Sequence, residues 1–348
     1  MGRPAVVSGM SALRMATLAL VAAVAVASCG GAGSTTGSGA ASAGPLRPFT
    51  IGLTYIPNIQ FAPFYVAASL GYYRDGGLDV SLRHHSFSED EFSAAGSGRE
   101  DAVFAGGDEM LQARDHSVPL VDVATMYRRY PVVLVTPADS PIHAAADLRG
   151  HTVGTPGPYG ETYFGLLALL RSARLGTSDL TVQYIQFTQV AALLGHKVDA
   201  VMGYVNNEPI QFRQAGFAVR VLALSDAVKP LPLVANGLGV LESVLSARAA
   251  DVRAMVRASL RGLQYTLAHP KEALDMSRRY VPGLDDPKQA ADAMAVLQAT
   301  LSVWQSAGAR LGSNDPATWS AMGTFMAAYQ LVSGHSDPAR AFSNDYLP

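Results

Sequence analysis

Short runs rich in Val, Ile, Tyr and Phe alternate with helix-length segments through the first two thirds of the chain. The β-type runs are FTIGLTY (49–55), LDVSLR (78–83), DAVFAG (101–106), VVLVT (132–136), HTVGT (151–155), TVQYIQF (181–187), DAVMGY (199–204) and VRVLAL (219–224). Their branched and aromatic side chains suit a pleated, half-buried surface. Helical stretches such as 61–70 and 160–175 lie between them, and this alternation predicts an α/β fold with a largely parallel sheet.

The last third changes period. Val252, Met255, Val256, Leu260, Leu263 and Leu267 recur at helical spacing from Ala249 onward, with Arg253, Arg257 and Arg261 on the opposite face. That is an amphipathic helix laid on a core, and residues 241–345 read as mostly helical. One β-type run, LVANGLGV (233–240), precedes them and is placed to return the chain to the first sheet.

Two segments echo each other. GREDAVFAGGDE (98–109) and GHKVDAVMGYVNNE (195–208) share a Gly, basic and acidic residues, Asp-Ala-Val, and a polar cluster seven or eight residues after that Asp. Two similar strands that each end in acceptors suggest two similar lobes. Ligands of open α/β sheets bind beyond the carboxyl ends of the strands, which is where Asp108, Glu109, Asn206, Asn207 and Glu208 fall.

The N-terminus adds an address. Arg3 and Arg14 frame a basic lead, residues 15–26 form an apolar run, and Val26, Ala27 and Ser28 precede Cys29, the only cysteine. This is the layout of a secretory signal, the run being shorter than the roughly 20 apolar residues of a membrane span. VASC resembles the lipobox of bacterial lipoproteins, which implies a lipidated Cys29, removal of a signal peptide at 1–28, and anchoring to the outer face of the cell membrane. The Gly, Ser, Thr and Ala that follow read as a flexible tether over 29–47. A formal net charge of −2 without a basic block leaves no electrostatic footprint for nucleic acid.

Signatures of catalysis are scarce. GTPGPYGET (154–162) follows a strand and opens a helix, so its N–H groups and the helix dipole would favour an anion or a carbonyl. It lacks the Walker lysine and the GxGxxG spacing, and a tight turn needing Gly is the alternative. His84 and His85 fall on opposite faces of a strand, a poor pair for one metal, and read as surface residues. Tyr55, Phe61, Tyr127 and Tyr130, with Tyr159, Tyr163 and Tyr204, stand at or past predicted strand ends, where rings can stack on a planar solute. Tyr204 followed by Glu208 offers a ring and an acceptor; the alternative is that Asn206 or Asn207 caps the helix Pro209 begins.

Three segments in order, LTYIPNIQFAPFYVAASLGYYRDGGLDVSL, DLRGHTVGTPGPYGETYFGLLALL and KVDAVMGYVNNEP, resemble the periplasmic-type binding proteins related to the fungal thiamine-pyrimidine synthases, the NMT1/THI5-like or SsuA-like group. The resemblance implies a two-lobed type II periplasmic-binding-protein fold with the ligand clamped between lobes. Lobe 1 is expected over 48–137 plus 236–348 and lobe 2 over 138–235. It further implies a monomeric, lipid-anchored substrate-binding protein that hands a small aromatic nitrogen heterocycle to the permease of an ABC importer. The ligand expected first is a thiamine pyrimidine precursor such as hydroxymethylpyrimidine or formylaminopyrimidine; riboflavin is the alternative, since GYVNNEP is similar to the riboflavin branch. A pyrimidine phosphate synthase is the reading of another class. In that branch a lysine directly before Gly-Tyr-Tyr carries pyridoxal phosphate, whereas Leu70 precedes Gly71, Tyr72 and Tyr73 here, and no cysteine follows Cys29; no cofactor, metal or catalytic residue is therefore expected. Where thiamine-pyrimidine binders open with Asp-Trp-x-Pro-Asn, this chain has Thr54, Tyr55, Ile56, Pro57 and Asn58. Under this resemblance Tyr55 and Tyr204 would stack on the ring, Asn58, Asp108, Asn207 and Glu208 would meet its polar edge, and the backbone at Tyr159, Gly160 and Thr162 would hold a substituent.

Overall fold

The computed structural model describes residues 44–85, 90–305, 308 and 310–348; Cys29 and the leader lie outside the described residues. The chain opens with β1 (Arg47–Leu53), α1 (Ala62–Ser69), α2 (Tyr72–Asp75), β2 (Leu78–His84), α3 (Glu91–Gly96), β3 (Ala102–Gly106), α4 (Gly107–Asp115) and β4 (Leu120–Thr125). It then crosses to β5 (Val132–Pro137), β6 (Thr152–Thr155), α5 (Gly160–Ser172), β7 (Thr181–Tyr184), α6 (Gln189–Leu194), β8 (Ala200–Tyr204), α7 (Glu208–Gln214), β9 (Val219–Ala223) and α8 (Leu224–Ala227). A second crossing leads to β10 (Asn236–Leu241), α9 (Glu242–Ala268), α10 (Pro270–Ser277), α11 (Pro287–Trp304) and α12 (Pro316–Ala328).

Two five-stranded sheets result, ordered β2-β1-β3-β10-β4 and β7-β6-β8-β5-β9. Both are mixed: β1 pairs in parallel with β2 and β3 while β10 runs antiparallel to β3 and β4. In the second sheet β6 is parallel to β7 and β8, and β5 is antiparallel to β8 and β9. Returning strands β10 and β5 account for the departure from a parallel sheet. β5 belongs wholly to the second sheet, so the first crossing falls between Thr125 and Val132 and not after residue 137. Arg47, expected in the tether, already pairs with Leu78.

The echoed segments occupy matching places. Asp101 Oδ2 accepts the Thr50 N–H at 2.8 Å and Asp199 Oδ2 accepts the Thr152 N–H at 2.8 Å, each carboxylate tying the start of a central strand to the neighbouring strand. The shared Asp-Ala-Val is thus one device used twice, in β3 and in β8.

Helix α9 buries Val252, Met255, Val256, Leu260 and Leu263 and exposes the three arginines, as its periodicity predicts. The pattern begins at Ala249 because the helix kinks at Arg248 (φ −133°, ψ 33°). That side chain leaves the helix line to bond Asp101 at 2.6 Å, Asp251 at 3.0 Å and the Pro48 carbonyl at 2.7 Å. Further along, a Cβ on Gly262 would lie 2.1 Å from the Pro63 carbonyl oxygen. Only glycine lets α9 approach α1 this closely. Helices α11 and α12 start at Asp-Pro dipeptides, with Asp286 and Asp315 accepting first-turn N–H groups and Pro287 and Pro316 needing none satisfied.

Two short crossings join the sheets. Their backbones are pinned together where the Asn236 carbonyl accepts the Met126 and Tyr127 N–H groups, both at 2.9 Å. Tyr127 and Tyr130 ride on the first crossing and Asn236 ends the second, which puts all three beside the space between the sheets.

Candidate functional site

A cavity of about 580 Å³ opens beyond the carboxyl ends of β1, β3, β6 and β8. Each strand contributes the residues that immediately follow it. β1 leads to Thr54 and Tyr55, β3 to Glu109 in the first turn of α4, β6 through Pro156 and Tyr159 to the first turn of α5, and β8 to Tyr204, Asn207 and Glu208. Parallel strands point these ends the same way, so separated stretches of sequence converge.

Of the residues singled out from sequence, Tyr55, Tyr159, Gly160, Thr162, Tyr204, Asn207 and Glu208 line this cavity. Asn58 and Asp108 do not. Asn58 caps a single turn at Ile59–Phe61, its Oδ1 accepting the Gln60 N–H at 3.1 Å. Asp108 is fully buried behind the wall, taking the Tyr130 hydroxyl at 2.7 Å.

The aromatic wall is made from both sheets. Tyr55 meets Phe187 edge-on with centroids 4.8 Å apart and planes at 80°, and Phe61, Phe104 and Tyr127 extend the surface on the first-sheet side. Burial, followed by the Glu208 charge, pushes the Tyr55 hydroxyl up to about 12, so it remains a neutral donor. The histidines read as surface residues are not: His85 is buried with Nε2 2.6 Å from Glu100, and His84 Nδ1 meets the Tyr55 carbonyl at 3.0 Å. They do point to opposite sides. His84 fixes the backbone that carries Tyr55, and burial holds its imidazole below the usual range.

Carboxyl groups dominate the polar wall. Glu109 Oε2 accepts the Gly106 N–H at 2.9 Å, and Glu208 Oε2 accepts the Tyr204 N–H at 2.6 Å, so the two echoed segments end alike, an acid of the first helical turn reaching back to its own strand. Glu208 Oε1 also takes the Asn207 amide at 3.2 Å, and Asn207 Oδ1 takes the Gln211 amide at 2.8 Å. Neither amide caps α7; Asn206 instead donates to Thr300 at 3.0 Å, tying this turn to α11. The NNE run is therefore largely engaged with its own surroundings.

Glu161 differs. It is 2% exposed, lines the cavity, and takes the Tyr204 hydroxyl on Oε2, while Oε1 is buried with no hydrogen-bond partner. The Asn236 amide lies near enough to favour the charged form, though Oε1 accepts no hydrogen bond. A buried acceptor left open costs free energy unless something fills it. Burial, then the neighbouring Asp108 and Glu109 charges, drive its carboxyl well above the ordinary range. Burial likewise raises Asp108 to about 7 and, with the Asp108 charge, Glu109 to about 8. Glu161 lies inside the quoted GTPGPYGET run, where an acid in the first turn after a glycine-rich loop was its available signal.

The glycine-rich turn also departs from expectation. Gly160 adopts φ +78°, and a Cβ there would lie 2.9 Å from Glu109 Oε1. The N-terminus of α5, expected to face a ligand anion or carbonyl, thus faces the carboxylate of Glu109 from the other sheet, whose charged form the Glu161 N–H stabilises. Among the described residues no group of His, Cys, Asp and Glu is arranged to hold a metal ion.

Two lobes with a cleft at the strand ends, crossed twice by the chain, define a type II periplasmic-binding-protein fold, that of a substrate-binding protein of the SsuA type. The periplasmic aliphatic sulphonate-binding protein SsuA from Escherichia coli has this fold, with a TM-score of 0.67 at 17% identity over 85% of this chain and 91% of that one. The chain belongs to the NMT1/THI5-like family, which matches residues 58–273. Its relatives include the riboflavin-binding protein RibY of Chloroflexus aurantiacus, 38% identical over 97% of this chain and 99% of that protein. A formylaminopyrimidine-binding protein of Halalkalibacterium halodurans is 26% identical over 66% of this chain and 70% of its own.

Proposed function

We propose that the protein captures a flavin, riboflavin before any single-ring pyrimidine, for an ABC importer. The observation that carries this is the cavity: about 580 Å³, walled by aromatic rings at one end and extending along α4 past Gln112 to His116 and across to Ser93. From Glu109 to His116 is seven residues, on the order of 10 Å at the helical rise. Such a space suits a drug-sized solute. A tricyclic ring would fill the aromatic end and a polyhydroxyl chain the end near Ser93 and Gln112, whereas a lone pyrimidine would leave most of the volume to water. Likeness to RibY over nearly the whole chain supports the same choice.

In this reading Tyr55 and Phe187 wall the ring, the open Oε1 of Glu161 accepts a ring N–H, and Tyr204 holds Glu161 in place. Glu208 and Asn207 shape the wall more than they bind. The thiamine-pyrimidine ligand, favoured from sequence, draws its support from the more distant Halalkalibacterium relative. Catalysis through a pyridoxal Schiff base lacks its lysine, since Leu70 ends α1 on an exposed surface. Anchoring at Cys29 and delivery to a permease complete the proposal; no described helix is long and apolar enough to cross a membrane.

Thermal unfolding against riboflavin, lumichrome, hydroxymethylpyrimidine and formylaminopyrimidine tests it. A ligand at 100 times its Kd adds about 2.7 kcal/mol to the folded state, a shift of a few degrees. The expected result is a shift with riboflavin that exceeds that with either pyrimidine; a shift with a pyrimidine alone overturns the flavin reading.

A further inference from the structure

We infer that the cleft admits its ligand only as the uncharged alcohol and excludes the phosphate monoester of the same compound. The choice of riboflavin as that alcohol rests on the function proposed above; the charge rule rests on the walls themselves.

Among the described residues no Lys or Arg lines the cavity, while Asp90, Glu109, Glu161 and Glu208 do. A phosphate brings close to two negative charges at neutral pH, and burying them in a cleft with no cation beside them costs free energy. That cost could still be offset by a backbone cradle, because helix N-termini bind phosphate without any basic side chain. Helices α4 and α5, which start at this cavity, have that position filled by the protein's own acids. Glu109 Oε2 bonds the Gly106 N–H at the head of α4, and Glu109 Oε1 lies against Gly160 at the head of α5. The far end offers nothing better. There α4 ends at His116, where the helix dipole is negative, and Asp90 holds its own carboxylate on the Phe92 and Ser93 N–H groups at 3.1 and 3.3 Å.

The wall is nevertheless built for a ligand. Glu161 lines the cavity and carries a buried, unpartnered Oε1, an acceptor that a neutral N–H or O–H satisfies and a phosphate dianion cannot. A phosphorylated flavin would have to be hydrolysed before capture, water supplying hydroxyl to phosphorus while the flavin leaves as the alcohol carrying the proton.

The test measures two pairs at pH 7.5 with the purified protein: riboflavin against flavin mononucleotide by fluorescence quenching, and hydroxymethylpyrimidine against its monophosphate by calorimetry. The phosphate should bind roughly 100-fold more weakly than its alcohol, the scale expected of a buried charge left without a partner. Ser93→Lys, which sets a cation at the exposed rim, should narrow that ratio at least tenfold. A phosphate that binds wild type within threefold of its alcohol, in either pair, overturns the inference. Binding of the pyrimidine alcohol but of neither flavin sinks the flavin reading and leaves the charge rule standing, and binding of none of the four sinks both.

Discussion

The Tyr130 hydroxyl lies 2.7 Å from Asp108 Oδ2 and, on its other side, 2.9 Å from the Glu161 carbonyl oxygen, so one phenol spans from the first lobe to the second. One hydrogen cannot serve two acceptors fully. Asp108, raised to about 7 by burial, is in part protonated at neutral pH and can donate to Tyr130 while Tyr130 donates to Glu161. Tyr130→Phe removes the relay and leaves a buried carboxyl without its partner. We expect a loss of about 1–3 kcal/mol in denaturant unfolding; a change below about 0.5 kcal/mol, the range of an ordinary surface substitution, would show that the strap carries no weight.

Stability should fall as pH rises through neutrality. Asp108 and Glu109 titrate near 7 and 8 in the folded chain, and Glu161 is raised too, against roughly 4 when unfolded. From about pH 4 through the range where Asp108 and Glu109 titrate the folded state holds more protons, so unfolding free energy declines with pH. Acids held low, such as Asp251 beside Arg47 and Arg248, act in the opposite sense only below about pH 4. Urea midpoints from pH 5 to 9 should decrease, with a shallower slope in Glu109→Gln. A midpoint that rises over this range contradicts the burial of these groups.

Glu161 and Glu208 should part company on mutation. Glu161→Gln, with its amide oxygen kept on the Tyr204 hydroxyl, puts an NH2 donor where the open acceptor stood and is expected to weaken riboflavin binding at least tenfold with little loss of stability. Glu208→Gln disturbs the bond to the Tyr204 N–H and should cost about 1–2 kcal/mol of stability, with a smaller effect on affinity. Parallel melts and titrations check both; the reverse pattern would return the binding role to Glu208.

Gly262→Ala places a methyl group where the Pro63 carbonyl already stands. Neither helix backbone can yield easily, so a loss of about 1–3 kcal/mol is expected. An unchanged denaturation midpoint would mean that α1 and α9 slide apart at no cost.

Much of the fold was legible because period and burial agree. Nine of the ten strands stand out as branched or aromatic runs, and α9 announces its buried face. LVDVAT, the strand β4, passed unnoticed: a fully buried strand has no alternation to find, and its Asp122 is paid no attention by hydropathy although Thr125 and the Ala124 N–H satisfy it. The lobe boundary missed β5 because partner choice between two sheets leaves no local trace. At the site, position was readable and role was not. The echo located Glu109 and Glu208 correctly, yet their bonds run to backbone groups that any sequence possesses. Glu161 differs from them only in what fails to reach it, a property of three-dimensional packing.

Isothermal titration of the protein with riboflavin at pH 7.5, followed by competition with hydroxymethylpyrimidine, tests the central claim most directly. We predict saturable one-to-one binding of riboflavin that the pyrimidine does not displace at equal concentration. Absence of riboflavin binding, with saturable binding of the pyrimidine, would contradict it.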